Sequence, residues 1–280
     1  MDNTAKVHLW FRGASEVTKM LRRAGLLCEL GAAGAAIWTI LAKPQDASLW
    51  LPLAILGLTF FGSVLRSYSA LANGFAHRCR RISLRAFCAG KDVDGLTVST
   101  LDDDAPPFVD RFASNLPAKL LEEYYEPTTL PGAARQAELY AHSAFYTWRL
   151  LRVQSIVMLI VALIGAAASV IVIYYLAAVP YAQVDRRAVL EVVCTVVLLV
   201  VTVKGFEASW DAFSSSSSIR SIENALLKKP KGEALKDLVD SYDIERAAGA
   251  NPMTTIYDWW RDGLSKKWES RRKTFIDSIP

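Results

Sequence analysis

The chain has 280 residues, of which 52% are hydrophobic, and its formal net charge at pH 7 is +4. Because the hydrophobic residues are concentrated in four long blocks, the pattern argues against a soluble globular domain, and so small a charge does not by itself indicate a nucleic-acid-binding protein. The four cysteines form neither a C-x-x-C motif nor a disulfide framework, so we predict a reduced, cytoplasm-facing protein with no metal site and no cofactor.

Residues 1–23 precede the first apolar block and combine apolar side chains at helical spacing with interspersed lysines and arginines. The apolar positions are Val7, Trp10, Phe11, Ala14, Val17 and Leu21. This pattern predicts a basic amphipathic helix that lies on a membrane surface and runs directly into the first block.

The four apolar blocks cover residues 24–42, 49–65, 153–176 and 188–203. Their lengths are close to the 17–25 residues that a helix needs to cross the hydrocarbon core of a bilayer. Short loops join the first block to the second and the third to the fourth, so the sequence predicts two transmembrane hairpins.

Orientation follows from the basic residues that flank the blocks. The only basic residues in the two connecting loops are Lys43, Arg186 and Arg187, whereas the opposite flanks are rich in lysine and arginine. The positive-inside rule therefore places both termini in the cytoplasm.

The predicted fold is an all-α membrane protein with four transmembrane helices in two hairpins and a helical cytoplasmic domain formed by residues 66–150 and 204–280. Five segments follow from this reading. They are an amphipathic N-terminal helix, a first transmembrane hairpin, a cytoplasmic helical region, a second transmembrane hairpin and a cytoplasmic helical C-terminal region, at 1–23, 24–65, 66–152, 153–203 and 204–280.

Polar residues inside the spans are candidates for pore lining. Glu29 lies within the first span and Glu191 within the fourth, and an ionisable group at such depth is costly unless it faces water or a partner. Glu191, Thr195 and Thr202 fall within one sector of the fourth helix. In the alternative interpretation the glutamates reach the membrane boundary and the threonines bond their own helix backbone.

Small residues spaced four apart let helices approach closely in lipid. Gly31 with Ala35, and Gly165 with Ser169, are therefore predicted helix contacts.

Two basic segments outside the spans are candidate sites for a phosphate-rich ligand. The first contains Arg78, Arg80, Arg81 and Arg85; its alternative role is to bind anionic lipid. The second interleaves aromatic and basic residues, as surfaces that bind single-stranded nucleic acid do. Its members are Trp260, Arg261, Lys266, Lys267, Arg271 and Arg272. The alternative for the second segment is an amphipathic helix that packs through Ile256, Trp260, Leu264 and Trp268.

The sequence contains no G-x-S-x-G, H-E-x-x-H, Walker or Rossmann motif, so we predict no catalytic residues and no enzymatic activity.

Four short motifs accompany this layout: R-R-I-S-L-R-A-F at 80–87, Y-Y-E-P at 124–127, P-G-A-A-R at 131–135 and S-A-F-Y-T at 143–147. With the four-span layout, they resemble the S-4TM group of predicted pore-forming effectors of bacterial anti-phage conflict systems. The resemblance implies an inner-membrane protein that kills or arrests the infected cell and acts beside a nucleotidyltransferase-like partner. It also implies similarity to the membrane channel of Hailong-type defence, which a single-stranded oligonucleotide controls.

The resulting expectation is a homo-oligomeric channel, with a tetramer favoured, in the bacterial inner membrane under control of a nucleotide or oligonucleotide signal. Two other functions stay open at this point. One is a membrane anchor or assembly protein that recruits a cytoplasmic partner, and the other is a small ion-coupled transporter that uses Glu29 and Glu191.

Overall fold

The computed structural model describes residues 3–42, 50–113, 129–177, 186–249 and 254–277. These residues form helices and no strand, which confirms the all-α prediction. In chain order, α1 to α8 are Asn3–Ala42, Trp50–Ala89, Gly95–Asp104, Pro107–Ala113, Ala133–Ala177, Arg186–Leu226, Glu233–Ala248 and Thr254–Asp277.

The helices form two compact units. The first, called the helical unit, comprises the described residues within Met1–Lys19, Ala70–Gln154 and Asp211–Pro280. The second, called the bundle unit, comprises those within Met20–Ser69 and Ser155–Trp210. The four apolar blocks belong to the bundle unit, and α1, α2, α5 and α6 each contribute residues to both units.

The core of the helical unit is built around the first half of α5. Buried residues there include Tyr140, Phe145 and Leu151, and they meet buried residues of α2, α6, α7 and α8. The partners from the other four helices include Leu84, Ile219, Leu226, Val239, Tyr242, Leu264 and Trp268. Burial of large apolar side chains from five helices stabilises this unit independently of any membrane.

The N-terminal part of α1 has the predicted amphipathic face, but this face packs against protein. Val7, Trp10, Ala14 and Val17 are buried, with Trp10 only 2% exposed. The Trp10 ring lies 6.3 Å from that of Phe75, and its Nε1 donates a hydrogen bond to Asp110 at 3.3 Å. The prediction of a helix lying on the membrane surface is therefore wrong for this face, since periodicity identifies an apolar side but not what covers it.

Helix α2 ends at a glycine that reverses the chain. Gly90 has a φ of +64°, and the amides of Gly90 and Lys91 donate to the carbonyls of Phe87 and Ala86 at 3.3 and 3.1 Å. This arrangement is a Schellman motif, in which glycine adopts the left-handed conformation without strain. The next helix, α3, is capped by Asp94, whose carboxylate accepts a hydrogen bond from the Thr97 amide at 2.8 Å.

In the bundle unit, α1 and α2 form one antiparallel pair and α5 and α6 another. A Cβ atom on Gly62 would lie 3.1 Å from the carbonyl oxygen of Gly25, so these two helices touch at their backbones. On the other pair, Gly205 lies against Ala162, and Ser209 donates to the carbonyl of Ser155 at 2.8 Å.

The predicted small-residue contacts are partly found. Gly165 lies directly against Thr202, as a contact residue should, but Gly31 has nothing within 4 Å of its Cβ position. The buried small residues of α1 are instead Ala32 and Ala36, which pack with Ile55, Cys194 and Val197. Ala35 is partly buried and also packs against this cluster, so the predicted contact on α1 is found at Ala35 but not at Gly31.

Two of the described helices, rather than four, are long and apolar enough to cross a membrane: Leu53–Ala89 and Ala133–Ile171. Of their most apolar stretches, 17% and 22% are buried within the described chain. The first and fourth predicted spans each include residues whose side chains lie outside the described part of the chain, at 39–42 and 188–191.

A close contact between α1 and α4 gives a prediction about stability. A Cβ on Gly13 would lie 2.7 Å from the Cβ and 3.0 Å from the Cα of Ala113. We expect Gly13→Ala to cost about 1–3 kcal/mol through overpacking, against about 1 kcal/mol gained in helix propensity. Gly74 has nothing within 4 Å, so Gly74→Ala should stabilise the chain. Thermal unfolding of the detergent-solubilised protein, followed with a thiol-reactive dye, compares the two variants; equal melting temperatures would contradict the contact.

Candidate functional site

The predicted pore residue Glu29 is buried and pairs with Arg66 of α2 through its Oε2 atom. The Oε1 atom has no hydrogen-bond partner among the described residues. Three residues before Arg66 on α2, the Ser63 hydroxyl accepts a 3.3 Å hydrogen bond from Lys204 of α6. Three helices of the bundle unit therefore contribute charged side chains, of which Glu29 is buried, and a plain membrane anchor would not need them.

The two threonines of the fourth predicted span are both buried within the chain. Thr202 fills the space above Gly165 and donates to the carbonyl of Leu198 at 2.8 Å. Thr195 is 8% exposed. The structure thus gives Thr202 a packing contact between α5 and α6, and the pore-lining role of both threonines stays a prediction. The side chain of Glu191 lies outside the described residues.

Two of the four arginines in the basic segment 78–85 form ion pairs with aspartates of the same unit. Arg78 pairs with Asp104 at 2.6 Å, and Arg85 pairs with Asp240 at 2.5 Å and Asp243 at 3.0 Å. Of the four arginines predicted to bind a phosphate-rich ligand, these two therefore hold α2 to α3 and to α7.

Arg80 and Arg81 differ in their surroundings. Arg80 is 9% exposed, donates to the Ser143 hydroxyl and lies over the ring of Tyr242 at 5.8 Å. Arg81 is exposed. The four arginine side chains therefore do not form one shared positively charged surface. Their role in binding a ligand stays a prediction.

A hydrogen-bond network surrounds the Arg85 pair. Tyr140 donates to Asp243 at 3.3 Å, and the hydroxyls of Ser143 and Tyr242 are 2.8 Å apart. Burial raises the pKa of the Asp243 carboxyl, and the nearby charges of Arg80 and Arg85 partly offset this. The carboxylate of Asp243 consequently depends on these arginines to stay ionised.

The C-terminal aromatic and basic segment divides between packing and exposure. Leu264 and Trp268 are buried, as the amphipathic-helix alternative predicts, whereas Trp260 is 49% exposed. Lys266 and Lys267 are exposed, and Arg272 pairs with Glu138 at 3.0 Å. The side chain of Arg261 lies outside the described residues.

The remaining member, Arg271, belongs to a group that sequence reasoning missed. Its Nη1 lies 3.4 Å from Oε1 of Glu223, a carboxylate with no solvent exposure. The other oxygen of Glu223 accepts a 2.5 Å hydrogen bond from Nε1 of Trp148. At 3.4 Å the Arg271 contact is an ion pair without hydrogen-bond geometry, so Oε1 has no hydrogen-bond partner among the described residues.

Two further arginines complete this group. The guanidinium of Arg149 lies 3.6 Å from the Phe145 ring centroid and 4.3 Å from that of Trp148, and Arg220 lies 5.2 Å from the Trp148 ring. We call Arg149, Arg220 and Arg271 the arginine cluster. It draws on α5, α6 and α8, and a nearby fourth arginine, Arg152, stacks on Phe213 at 4.5 Å.

A sequence signal for part of this cluster existed. Trp148, Arg149 and Arg152 are near neighbours at helical spacing just before the third predicted span, which is an aromatic and basic pattern like the one noticed at the C-terminus. Arg220 has no comparable local signal, because only the folding of α6 against α5 brings it to Trp148.

A cavity of about 410 Å³ lies elsewhere in the helical unit, between α2, α5 and α7. Arg85, Gln136, Lys236 and Asp240 contribute its polar lining. Because Arg85 and Asp240 are paired with each other, this cavity offers less uncompensated charge than the arginine cluster does.

Among the residues that the structure covers, no three histidine, cysteine, aspartate or glutamate side chains are placed to hold a metal ion. Cys79 and Cys88 are buried free thiols.

No protein-family model matches this chain, and neither a curated protein nor a solved structure matches it.

Proposed function

We propose that this chain is a subunit of a homo-oligomeric ion channel, favoured as a tetramer, in the bacterial inner membrane. Its bundle unit supplies four membrane-spanning helices with both termini in the cytoplasm, and its helical unit opens or closes the pore in response to a nucleotide or oligonucleotide. The signal comes from a nucleotidyltransferase-like partner, and the channel acts as a pore-forming effector of anti-phage defence.

The observation that carries the membrane part of this proposal is the surface of the bundle unit. Large apolar side chains are exposed along it on α1, α2, α5 and α6, including Leu27, Trp38, Phe60, Phe61, Ile164 and Trp210. Soluble monomers rarely expose continuous apolar patches of this kind, and a bilayer is the solvent that such a surface suits.

Charged groups inside the bundle unit support transport over simple anchoring. Glu29, Arg66 and Lys204 come from three different helices, and one oxygen of the buried Glu29 carboxylate makes no hydrogen bond to a described residue. That free oxygen also favours a second candidate function, an ion-coupled transporter in which Glu29 binds a cation or proton.

Ion flux in proteoliposomes tests the proposal. We expect the purified chain to pass monovalent ions, and Glu191→Gln to change the reversal potential because it removes a charge from the predicted lining without changing side-chain size. The matched control is Thr59→Val, since the Thr59 hydroxyl bonds its own helix at Ile55.

Three results separate the candidate functions. Passive flux that Glu191→Gln modifies and Thr59→Val does not supports the channel. Flux that requires a counter-gradient and is lost in Glu29→Gln supports the transporter. Absence of flux under every condition, with correct membrane insertion, identifies an anchor and contradicts the channel.

A further inference from the structure

We propose that the arginine cluster is a phosphate-binding site of the helical unit. The inference rests on the proposed function only for the nature of the signal, a nucleotide whose phosphates this site receives. It concerns different residues from those that the sequence indicated, apart from Arg271.

The first argument is the ratio of charges. Elsewhere in the unit three described arginines face carboxylates of their own: Arg78 pairs with Asp104, Arg272 with Glu138 and Arg85 with two aspartates. At the cluster the carboxylate of Glu223 pairs with Arg271, and the guanidinium groups of Arg149 and Arg220 lie over the Trp148 ring. Within the described residues neither Arg149 nor Arg220 forms an ion pair with any carboxylate.

The second argument is that the guanidinium groups are held in place rather than free to spread apart. Glu223 fixes the Trp148 ring by a 2.5 Å hydrogen bond, and Arg149 and Arg220 both stack on that ring. Arg149 is further held by a 3.2 Å hydrogen bond to the Phe145 carbonyl. Stacking on aromatic rings fixes like-charged groups close together, at a cost that a bound anion relieves.

The third argument is access. Arg220 is exposed, Arg149 is half-buried, and 37% of the Arg271 side chain is exposed. Each planar guanidinium retains N–H donors that no described residue uses, and arginine presents such donors in the paired geometry that phosphate oxygens accept. Glu223 acts here as a positioning residue, since its carboxylate orients Trp148 and Arg271 and does not face the ligand.

The position of the site connects it to the bundle unit through two shared helices. Its three arginines lie on α5, α6 and α8, and α5 and α6 are helices that continue into the bundle unit. A phosphate group that draws the three guanidiniums together therefore favours one arrangement of these helices over another, which is what a ligand must do to shift a gate.

The phosphate group bound at this site belongs either to a nucleotide or to the headgroup of an anionic lipid. The experiment uses the full chain in nanodiscs of phosphatidylcholine, titrated with a fluorescently labelled, mixed-sequence single-stranded DNA oligonucleotide at several salt concentrations. A parallel arm replaces part of the lipid with phosphatidylglycerol and follows the melting temperature without DNA.

The variants are Arg149→Gln with Arg220→Gln, and Arg220→Gln alone, because the exposed Arg220 can be changed with little risk to the fold. The control is Lys6→Gln, which removes one charge whose partner is Asp102 and which lies outside both candidate ligand segments. We expect the double variant to bind DNA about tenfold more weakly or worse and to lose roughly 0.7 of the salt slope for each charge removed, whereas the control binds as the natural chain does.

Each outcome decides between clear alternatives. Equal DNA binding by the natural chain and the double variant overturns the site, as does the absence of any response in both arms. A phosphatidylglycerol-dependent stabilisation that the double variant loses, without DNA binding, supports the site and assigns lipid as its phosphate source. If the chain passes no ions but binds DNA through the cluster, the phosphate-binding site is supported and only the proposed channel function is contradicted.

Discussion

Replacing Arg66 with methionine is expected to destabilise the bundle unit by about 3 kcal/mol, because the buried Glu29 carboxylate would lose its counter-charge. Only 6% of the Glu29 side chain is exposed, whereas 39% of the Arg66 side chain is exposed. Because one partner is partly solvated, the expected loss of stability lies at the lower end of the range for a broken buried ion pair. The measurement is thermal unfolding in detergent with a thiol-reactive dye, since Cys194 is fully buried in this unit.

A double variant makes this prediction specific. Glu29→Gln combined with Arg66→Met removes both charges and should restore most of the lost stability. The matched control, Arg78→Met, breaks an ion pair whose partners are about half exposed and should cost less than about 1 kcal/mol. If Arg66→Met and Arg78→Met melt alike, Glu29 is not held by Arg66 in the folded protein.

Reversing the charge of Arg85 is expected to be the most damaging change in the helical unit. Arg85→Glu would place a third carboxylate against Asp240 and Asp243, and the Asp243 side chain is only 7% exposed. We expect a loss of roughly 3–5 kcal/mol, since a buried charge would lose its partner and gain a like charge. The nearby buried Cys88 reports the unfolding.

Lys267→Glu is the control for Arg85→Glu. It also replaces a cation with a carboxylate, but at an exposed position of the helical unit, and should alter stability by no more than about 0.5 kcal/mol. A stable Arg85→Glu variant would show that the contacts with α7 do not form. For the same reason, a variant with Arg80, Arg81 and Arg85 all changed to glutamate would test folding rather than ligand binding.

The sequence was sufficient for features that depend on local pattern. Long apolar runs predicted the helices of the bundle unit, and i, i+4 spacing predicted that Leu264 and Trp268 of α8 pack on a neighbour. The spacing of Val7, Trp10, Ala14 and Val17 likewise identified the buried face of α1. In that case the error concerned the partner, because protein and lipid both cover an apolar stripe.

Features that depend on distant pairs could not be predicted. Glu29 and Arg66 are 37 positions apart, and Arg85 and Asp240 are 155 apart. A run of arginines looks the same in the sequence whether or not each arginine has a carboxylate partner in the folded chain. Only the packing of α5, α6 and α8 shows that Arg271 pairs with Glu223 and that Arg149 and Arg220 lie over the Trp148 ring, whereas Arg78 and Arg85 pair with aspartates.

The central claim, that lipid covers the bundle unit, is tested most directly by the surroundings of its exposed apolar side chains. Single nitroxide labels are placed at Phe60 and Ile164 of the bundle unit and at Leu96 and Ile244 of the helical unit, in a cysteine-free chain reconstituted in bilayers. All four positions are well exposed, at 72%, 65%, 80% and 67% respectively. We expect the two bundle labels to collide often with oxygen and rarely with a water-soluble nickel chelate, and the two helical-unit labels to show the reverse. Equal accessibility of all four labels to the nickel chelate would place the bundle unit in water and contradict the account.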